Sequence, residues 1–152
     1  HQLEKGIDLF IGGIKIDSDL GSLGHSDGDA LIHAIADSLL GAAGMGDIGQ
    51  YFPSDESEWK NAKSEIFLFE VKKILINNGF KLSNIDCTVV LQKPKINPYI
   101  DTIRNNISRI LELNENYVSI KATTTDYLGY IGDSKGWSVI SIATIIDTNE
   151  DC

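Results

Sequence analysis

The chain has 152 residues, of which 42% are hydrophobic and 23% charged, values typical of a single soluble domain with its own core. The formal net charge of −9 argues against nucleic acid as the main partner, because binding a phosphate backbone needs clustered Lys and Arg. The sequence has no apolar run of the roughly 18–20 residues that a membrane span needs. We therefore expect residues 1–152 to form one domain, with neither a nucleic-acid nor a membrane partner.

Hydrophobic periodicity and turn residues predict the element order β, α, α, β, α, β, β. The first strand, 8–16, contains Gly12 and Gly13, which indicate a bulge, a bend or a tight hairpin. The first helix begins at Asp27 or Asp29 and ends at Ala43. The remaining elements are expected at 61–78, 85–92, 97–113, 117–125 and 137–147, with a polar loop at 47–60.

This order predicts an α+β fold, with one layer of helices on a four-stranded mixed sheet. Polar and β-branched residues alternate in KATTT and VISIATII. One face of the sheet is therefore expected to bury against the helices, and the other to present Thr and Ser. A semi-polar open face is consistent with assembly around a symmetry axis. Cys87 lies in a strand-like run and is expected to be a buried, free thiol.

The stretch Gly24–Gly49 concentrates chemistry-bearing residues around the first helix. Asp29, His33 and Asp37 fall at i, i+4 and i+8 on one helical stripe. A lone histidine in an amphipathic helix is more often structural than a ligand. A carboxylate one turn away favours the ligand interpretation, because it can orient an imidazole toward a metal. Both interpretations of His33 stay open at this point.

Two further clusters follow strand ends. The run Lys121–Asp126 reads KATTTD, where three threonines reflect either β-propensity or a set of hydroxyl donors for a phosphate. Asp126 is then a hard oxygen ligand for Mg²⁺. Lys95, in the run QKPK, is either solvated or in contact with a phosphate or nucleotide. Asp47 either caps the next segment or binds a ribose hydroxyl.

Together the motifs HSDGDALIHAIADSLLGAAGMGDIG, FP, WKNAKS, QKPK and KATTTDYLG closely resemble the 2-C-methyl-D-erythritol 2,4-cyclodiphosphate synthase family of the non-mevalonate isoprenoid pathway. The resemblance covers nearly the whole chain. It implies a homotrimer built around the open face of the sheet, with active sites shared between neighbouring subunits. It also implies a lyase reaction that turns a cytidine nucleotide-diphosphate substrate, 4-diphosphocytidyl-2-C-methyl-D-erythritol 2-phosphate, into the cyclic diphosphate and CMP.

The resemblance also assigns roles to residues. His1 and His33 would bind Zn²⁺ or another divalent cation, and Asp126 would bind Mg²⁺ or Mn²⁺ at the diphosphate. His25 and Thr124 would stabilise the transition state. Substrate-binding roles are implied for Ser26, Asp47, Ile48, Gly49, Phe52, Ser54, Asp55, Glu56, Lys95, Ile96, Asn97, Thr123, Thr125 and Tyr130.

The sequence departs from the family pattern at three places. The family has an Asp metal ligand two residues before the histidine that matches His1, and we expect that ligand upstream of this chain. Asp126 replaces a Glu, and Asp133 stands where many relatives have an Arg at the central channel of the trimer. Two alternatives follow: a catalytically weakened trimer that binds cytidine nucleotides, and a purely structural trimer. The expected compartment is a plastid- or apicoplast-type organelle or a bacterial cytoplasm.

Overall fold

The computed structural model describes residues 1–24, 26–53 and 62–149. The strands are β1 (Gln2–Lys5), β2 (Leu9–Ile11), β3 (Ile14–Ile16), β4 (Leu20–Leu23), β5 (Phe80–Val90), β6 (Val118–Thr123) and β7 (Ser138–Asp147). The helices are α1 (Ala30–Ala42), α2 (Ile48–Tyr51), α3 (Ser64–Asn77), α4 (Ile100–Leu111) and α5 (Gly129–Gly132), with 3-10 turns at Asn97–Tyr99 and Glu115–Tyr117. Within the described ranges, each helix is too short or too polar to cross a bilayer.

The main sheet has the strand order β6-β5-β7 and is mixed, as predicted. Strand β5 runs parallel to β6 and antiparallel to β7. The described residues place three strands in this sheet rather than the four predicted. Of the three alternatives predicted at Gly12 and Gly13, the tight hairpin is confirmed. With φ of 62° and 77°, these residues form a two-residue turn between β2 and β3, which pair with each other outside the main sheet. Strands β1 and β4 form another antiparallel pair.

The helices cover one face of the main sheet. Alternate residues of β5, namely Ile85, Cys87 and Val89, are fully buried and belong to the same apolar cluster as the inner residues of α1, α3 and α4. Cys87 is a free, buried cysteine, which confirms its prediction. This packing fixes the first turns of α1 and α3, where the candidate site begins.

The opposite face of β7 differs from the prediction, because it presents isoleucine rather than mainly Thr and Ser. Ile140, Ile142 and Ile146 are 63%, 61% and 51% exposed. Ser141 points to the helix side, where its hydroxyl has two partners: Ser38 Oγ at 3.0 Å and Cys87 Sγ, which donates to it at 3.3 Å. Because successive side chains of a strand point to opposite faces, Ser141 on the helix side leaves its neighbours Ile140 and Ile142 pointing outward. An apolar stripe therefore runs along the open face of the sheet.

Candidate metal centre and substrate site

The buried carboxylate of Asp29 fixes the start of α1. It accepts hydrogen bonds from Ile32 N at 3.1 Å, which caps the helix, and from Gly13 N at 2.7 Å, which ties the β2–β3 turn to the helix. Burial raises the pKa of Asp29 to about 7, although its backbone hydrogen bonds act in the opposite direction. Asp29 is therefore a structural anchor for the helix that carries His33.

The side chains of His1 and His33 meet at the open end of this region. His33 projects from α1, and His1 is held beside it by main-chain pairing, with Trp137 N donating to His1 O at 2.9 Å. His1 Nε2 lies 3.3 Å from His33 Nδ1. The structure therefore brings together the two histidines that were predicted to bind a metal.

The hydrogen bonds of His33 determine which of its nitrogens carries the proton. His33 Nε2 lies 3.0 Å from Ser64 Oγ. The Ser64 hydroxyl donates its only proton to the carboxylate of Asp27. Ser64 Oγ can then only accept from the imidazole, so Nε2 carries the hydrogen and the lone pair of Nδ1 faces His1.

The same reasoning applies to His1. Its Nδ1 lies 3.3 Å from the carbonyl oxygen of Leu23, which can only accept, so Nε2 carries the lone pair. With both imidazoles neutral, the two lone pairs face each other across 3.3 Å, an arrangement that a shared cation stabilises. Two nitrogens bound to one tetrahedral Zn²⁺ at about 2.0–2.1 Å are separated by about 3.3–3.4 Å.

The pair therefore fits two corners of a zinc site. Burial lowers the pKa of His33 below its ordinary value, against the attraction of the Asp27 carboxylate. A lowered pKa keeps the imidazole neutral, as metal binding requires. Within the described residues, no group of three or more His, Cys, Asp or Glu side chains surrounds a common point.

Asp37 does not orient His33, contrary to the prediction from their i, i+4 spacing. Its Oδ1 accepts from Ile48 N at 2.8 Å, at the exposed start of α2. A carboxylate is drawn to the free N–H groups of a helix start. The partner of His33 is Ser64 on α3. Sequence reasoning missed it, although its place at the start of an apolar-periodic run indicates a helix N-terminus.

Other predicted residues lie near His33 or in the neighbouring helix α2. Ser26 Oγ lies 3.3 Å from His33 Nε2. The ring centroids of Phe52 and Phe67 are 4.9 Å apart, and those of Phe67 and His33 are 6.2 Å apart. Asp47 caps α2 by accepting from Gln50 N at 3.1 Å, and Ile48 and Gly49 are in that helix. Four predicted residues lie outside the described ones: His25, Ser54, Asp55 and Glu56.

A second region contains Lys95 and Thr124, which line one cavity of about 740 Å³. Its described lining is Lys5, Asp17, Ser18, Asp19, Leu20, Gln92, Lys93, Pro94, Lys95, Thr124 and Tyr127. Neither His1 nor His33 is among these residues. Among the described residues, the paired histidines and the cavity at Lys95 and Thr124 therefore belong to two different regions of the chain surface.

The turn after β6 holds the threonines in place. Thr124 Oγ1 donates to Asp126 Oδ1 at 3.3 Å and accepts from Asp126 N at 3.2 Å. Thr125 Oγ1 donates to Leu128 O at 2.7 Å, and Thr123 Oγ1 donates to Thr124 O at 3.3 Å. Asp126 has a φ of 50°, a conformation that is uncommon for residues other than glycine. The exposed Asp126 carboxylate is thus held beside the hydroxyl of Thr124.

The remaining predicted residues, Ile96, Asn97 and Tyr130, lie in three different environments. Ile96 is 2% exposed, so its side chain belongs to the core. Asn97 begins the 3-10 turn that leads into α4. Tyr130 lines a separate cavity of about 540 Å³ together with His1.

The fold and the paired histidines define a mixed α/β protein with a candidate divalent-metal centre. The YgbB family matches residues 1–146, and the chain belongs to this family, whose curated relatives are 2-C-methyl-D-erythritol 2,4-cyclodiphosphate synthases. The synthase of Chlorobaculum tepidum is 51% identical over 136 residues, covering 90% of this chain and 87% of the relative.

Two solved structures are similar in fold. The bifunctional IspDF of Campylobacter jejuni has a TM-score of 0.92 and 37% identity, covering 99% of this chain and 41% of that one. The CDP complex of IspF from Plasmodium falciparum has a TM-score of 0.83 and 35% identity, covering 98% of this chain and 90% of that one.

Proposed function

We propose that the chain converts 4-diphosphocytidyl-2-C-methyl-D-erythritol 2-phosphate into 2-C-methyl-D-erythritol 2,4-cyclodiphosphate and CMP. An oxygen of the substrate's 2-phosphate forms a bond to the β-phosphorus, and the bond from that phosphorus to CMP breaks. Family membership supports the reaction, and the CDP complex of the Plasmodium falciparum relative supports a cytidine nucleotide as ligand. The observation that carries the proposal is the pair of imidazole nitrogens, His1 Nε2 and His33 Nδ1, which lie 3.3 Å apart.

In this proposal the protein positions the substrate and neutralises its charge, without a covalent step. His1 and His33 hold a divalent cation, proposed to be Zn²⁺, which when bound offsets negative charge on the phosphates. The Lys95 ammonium and the Thr124 hydroxyl, which line one cavity, bind phosphate oxygens. Asp126 suits Mg²⁺ or Mn²⁺, which is usually bound by one or two carboxylates together with substrate phosphates.

The remaining predicted residues complete the proposed substrate site. Ser26, bonded beside His33, is proposed to contact the erythritol phosphate. His25 is proposed to act with Thr124 on the transition state. The other proposed contacts are Asp47, Ile48, Gly49, Phe52, Ser54, Asp55, Glu56, Ile96, Asn97, Thr123, Thr125 and Tyr130.

The proposed assembly is a homotrimer with its active sites between subunits. Two observations support it. The isoleucine stripe of β7, including Ile142 at 61% exposure, is the kind of apolar surface that a subunit interface covers. The paired histidines and the cavity at Lys95 and Thr124 have no described lining residue in common, as expected if neighbouring chains combine the two regions. The compartment stays a prediction, either a bacterial cytoplasm or a plastid-type organelle.

The test is turnover of the named substrate with Mg²⁺ present. Two measurements detect the products: release of CMP, and the ³¹P spectrum of the cyclic diphosphate. We expect equal amounts of both products. Thr124→Val should lower kcat by about 10²–10³-fold, the usual cost of losing one transition-state donor, and Thr124→Ser should retain most of it. Binding of CDP without CMP release would favour the alternative function, a cytidine-nucleotide-binding trimer.

A further inference from the structure

We propose that Ser64 and Asp27 form a positioning relay, which holds His33 in the Nε2–H tautomer and so presents Nδ1 to the cation. The cation itself belongs to the proposed function. The tautomer can be tested without it.

The relay begins at the Asp27 carboxylate, which accepts hydrogen bonds from Ser64, the first residue of α3. Asp27 Oδ2 accepts from Ser64 N at 3.0 Å, and Oδ1 accepts from Ser64 Oγ. Lys63, the residue that precedes α3, makes no side-chain cap. Asp27 therefore supplies the cap of α3 and also determines where the proton of the Ser64 hydroxyl points.

Ser64 transmits this orientation to His33. It is fully buried, so water does not compete for its hydroxyl. With its proton directed to Asp27, Ser64 Oγ accepts from His33 Nε2 at 3.0 Å. Ser26 Oγ accepts from Gly28 N at 3.4 Å and lies 3.3 Å from the same Nε2, farther from it than Ser64 Oγ.

The tautomer of His33 decides whether its other ring nitrogen, Nδ1, can bind a cation. If His33 carried its hydrogen on Nδ1, that hydrogen would point at His1 Nε2 and occupy the position of the cation. A neighbouring acceptor that fixes the tautomer of a ligand histidine typically contributes about 10–100-fold to metal affinity. Ser64 and Asp27 are therefore positioning residues, distinct from the ligands themselves.

The experiment measures the tautomer of His33 in metal-free protein from its ¹⁵N ring chemical shifts, assigned by comparison with His33→Gln. Wild type should show the Nε2–H form. Ser64→Ala keeps the backbone N–H that Asp27 caps but removes the relay hydroxyl, and should show a measurable Nδ1–H fraction. Asp27→Asn should shift the same equilibrium. Ser38→Ala is the matched control, because this α1 serine bonds Ile35 O and Ser141 on the helix–sheet side.

Zinc affinity, measured by competition with a chelating dye, is the second readout. We expect Ser64→Ala to bind about 10–100-fold more weakly than wild type and Ser38→Ala to bind normally. An Nδ1–H form in wild type would overturn the relay. An unchanged tautomer in Ser64→Ala would also overturn it, whatever the affinity, because any loss would then come from packing.

The two proposals fail separately. If wild type binds no zinc but its Nε2–H tautomer is lost in Ser64→Ala, the relay stands and the metal part of the proposed function fails. If zinc supports turnover while the tautomer is insensitive to Ser64, the proposed function stands and the relay fails.

Discussion

His1 Nε2 and His33 Nδ1 lie 3.3 Å apart, and the other nitrogen of each ring faces an acceptor oxygen. Two imidazoles in this state repel each other unless a cation lies between them. The arrangement is maintained from three directions: by the pairing of His1 with Trp137, by α1, and by Ser64 at the start of α3. A centre built in this way is formed before substrate arrives, as electrostatic catalysis requires.

Lys95→Ala should weaken binding of CDP. Lys95 lines the cavity that also contains Thr124, and a hydrogen bond to a charged group contributes about 1.5–3 kcal/mol. We expect the Kd for CDP to rise at least about tenfold in calorimetric titrations at fixed salt. Lys15→Ala is the control, because Lys15 pairs with Asp8 outside that cavity. An unchanged Kd in Lys95→Ala would remove this lysine from the proposed nucleotide site.

Ile142→Lys should dissociate the proposed trimer. Ile142 is 61% exposed on the open face of the sheet, and a subunit interface there would have to bury the new charge. Sedimentation velocity should show the mass fall from three chains toward one, with CMP release lost because the sites are shared. Ile76→Lys, at a 53% exposed isoleucine of α3, is the matched control and should stay trimeric. A trimer that survives Ile142→Lys would exclude this stripe as the interface.

The pH dependence of stability should change in Asp29→Asn. Burial raises the pKa of Asp29 from 3.8 to about 7. The folded chain therefore holds this proton to higher pH than the unfolded chain, so the stabilisation from Asp29 is full below about pH 4 and is lost as the pH rises toward 7. Asn does not titrate, so Asp29→Asn does not lose stability in this way. The free energy of unfolding of the variant minus that of wild type should therefore rise by roughly 2–4 kcal/mol between pH 4 and pH 7.5.

Urea unfolding at several pH values measures this difference. Ser38→Ala, at a non-ionisable residue of the same helix, should keep the pH profile of wild type. Parallel profiles for wild type and Asp29→Asn would show that burial of Asp29 does not govern its protonation.

Local sequence signals predicted most of the long elements. The first helix was expected to begin at Asp27 or Asp29, and the structure has Asp29 as the N-cap of Ala30–Ala42. The short strands β1 and β4 were missed because they pair with each other rather than follow a local pattern. Over the described ranges the main sheet has three strands rather than the predicted four, because the segment 8–16 forms the tight hairpin that was one of the three alternatives at Gly12 and Gly13.

The candidate site was predicted less completely than the fold. Helical spacing correctly placed His33 on α1, and the family pattern paired it with His1. The same spacing wrongly selected Asp37 as its partner, because spacing along one helix carries no information about a competing helix start at Ile48. Ser64 reaches His33 through the packing of α3 on α1, a tertiary relationship that no local pattern contains.

The central claim is that the two facing histidines hold a cation on which turnover depends. Wild-type protein stripped with a chelator and returned to Mg²⁺ alone should release CMP slowly or not at all, and Zn²⁺ should restore the rate. His33→Gln should bind little zinc and stay inactive in both conditions, with its fold retained by circular dichroism. Full CMP release from zinc-free wild type, or from His33→Gln, would contradict the account.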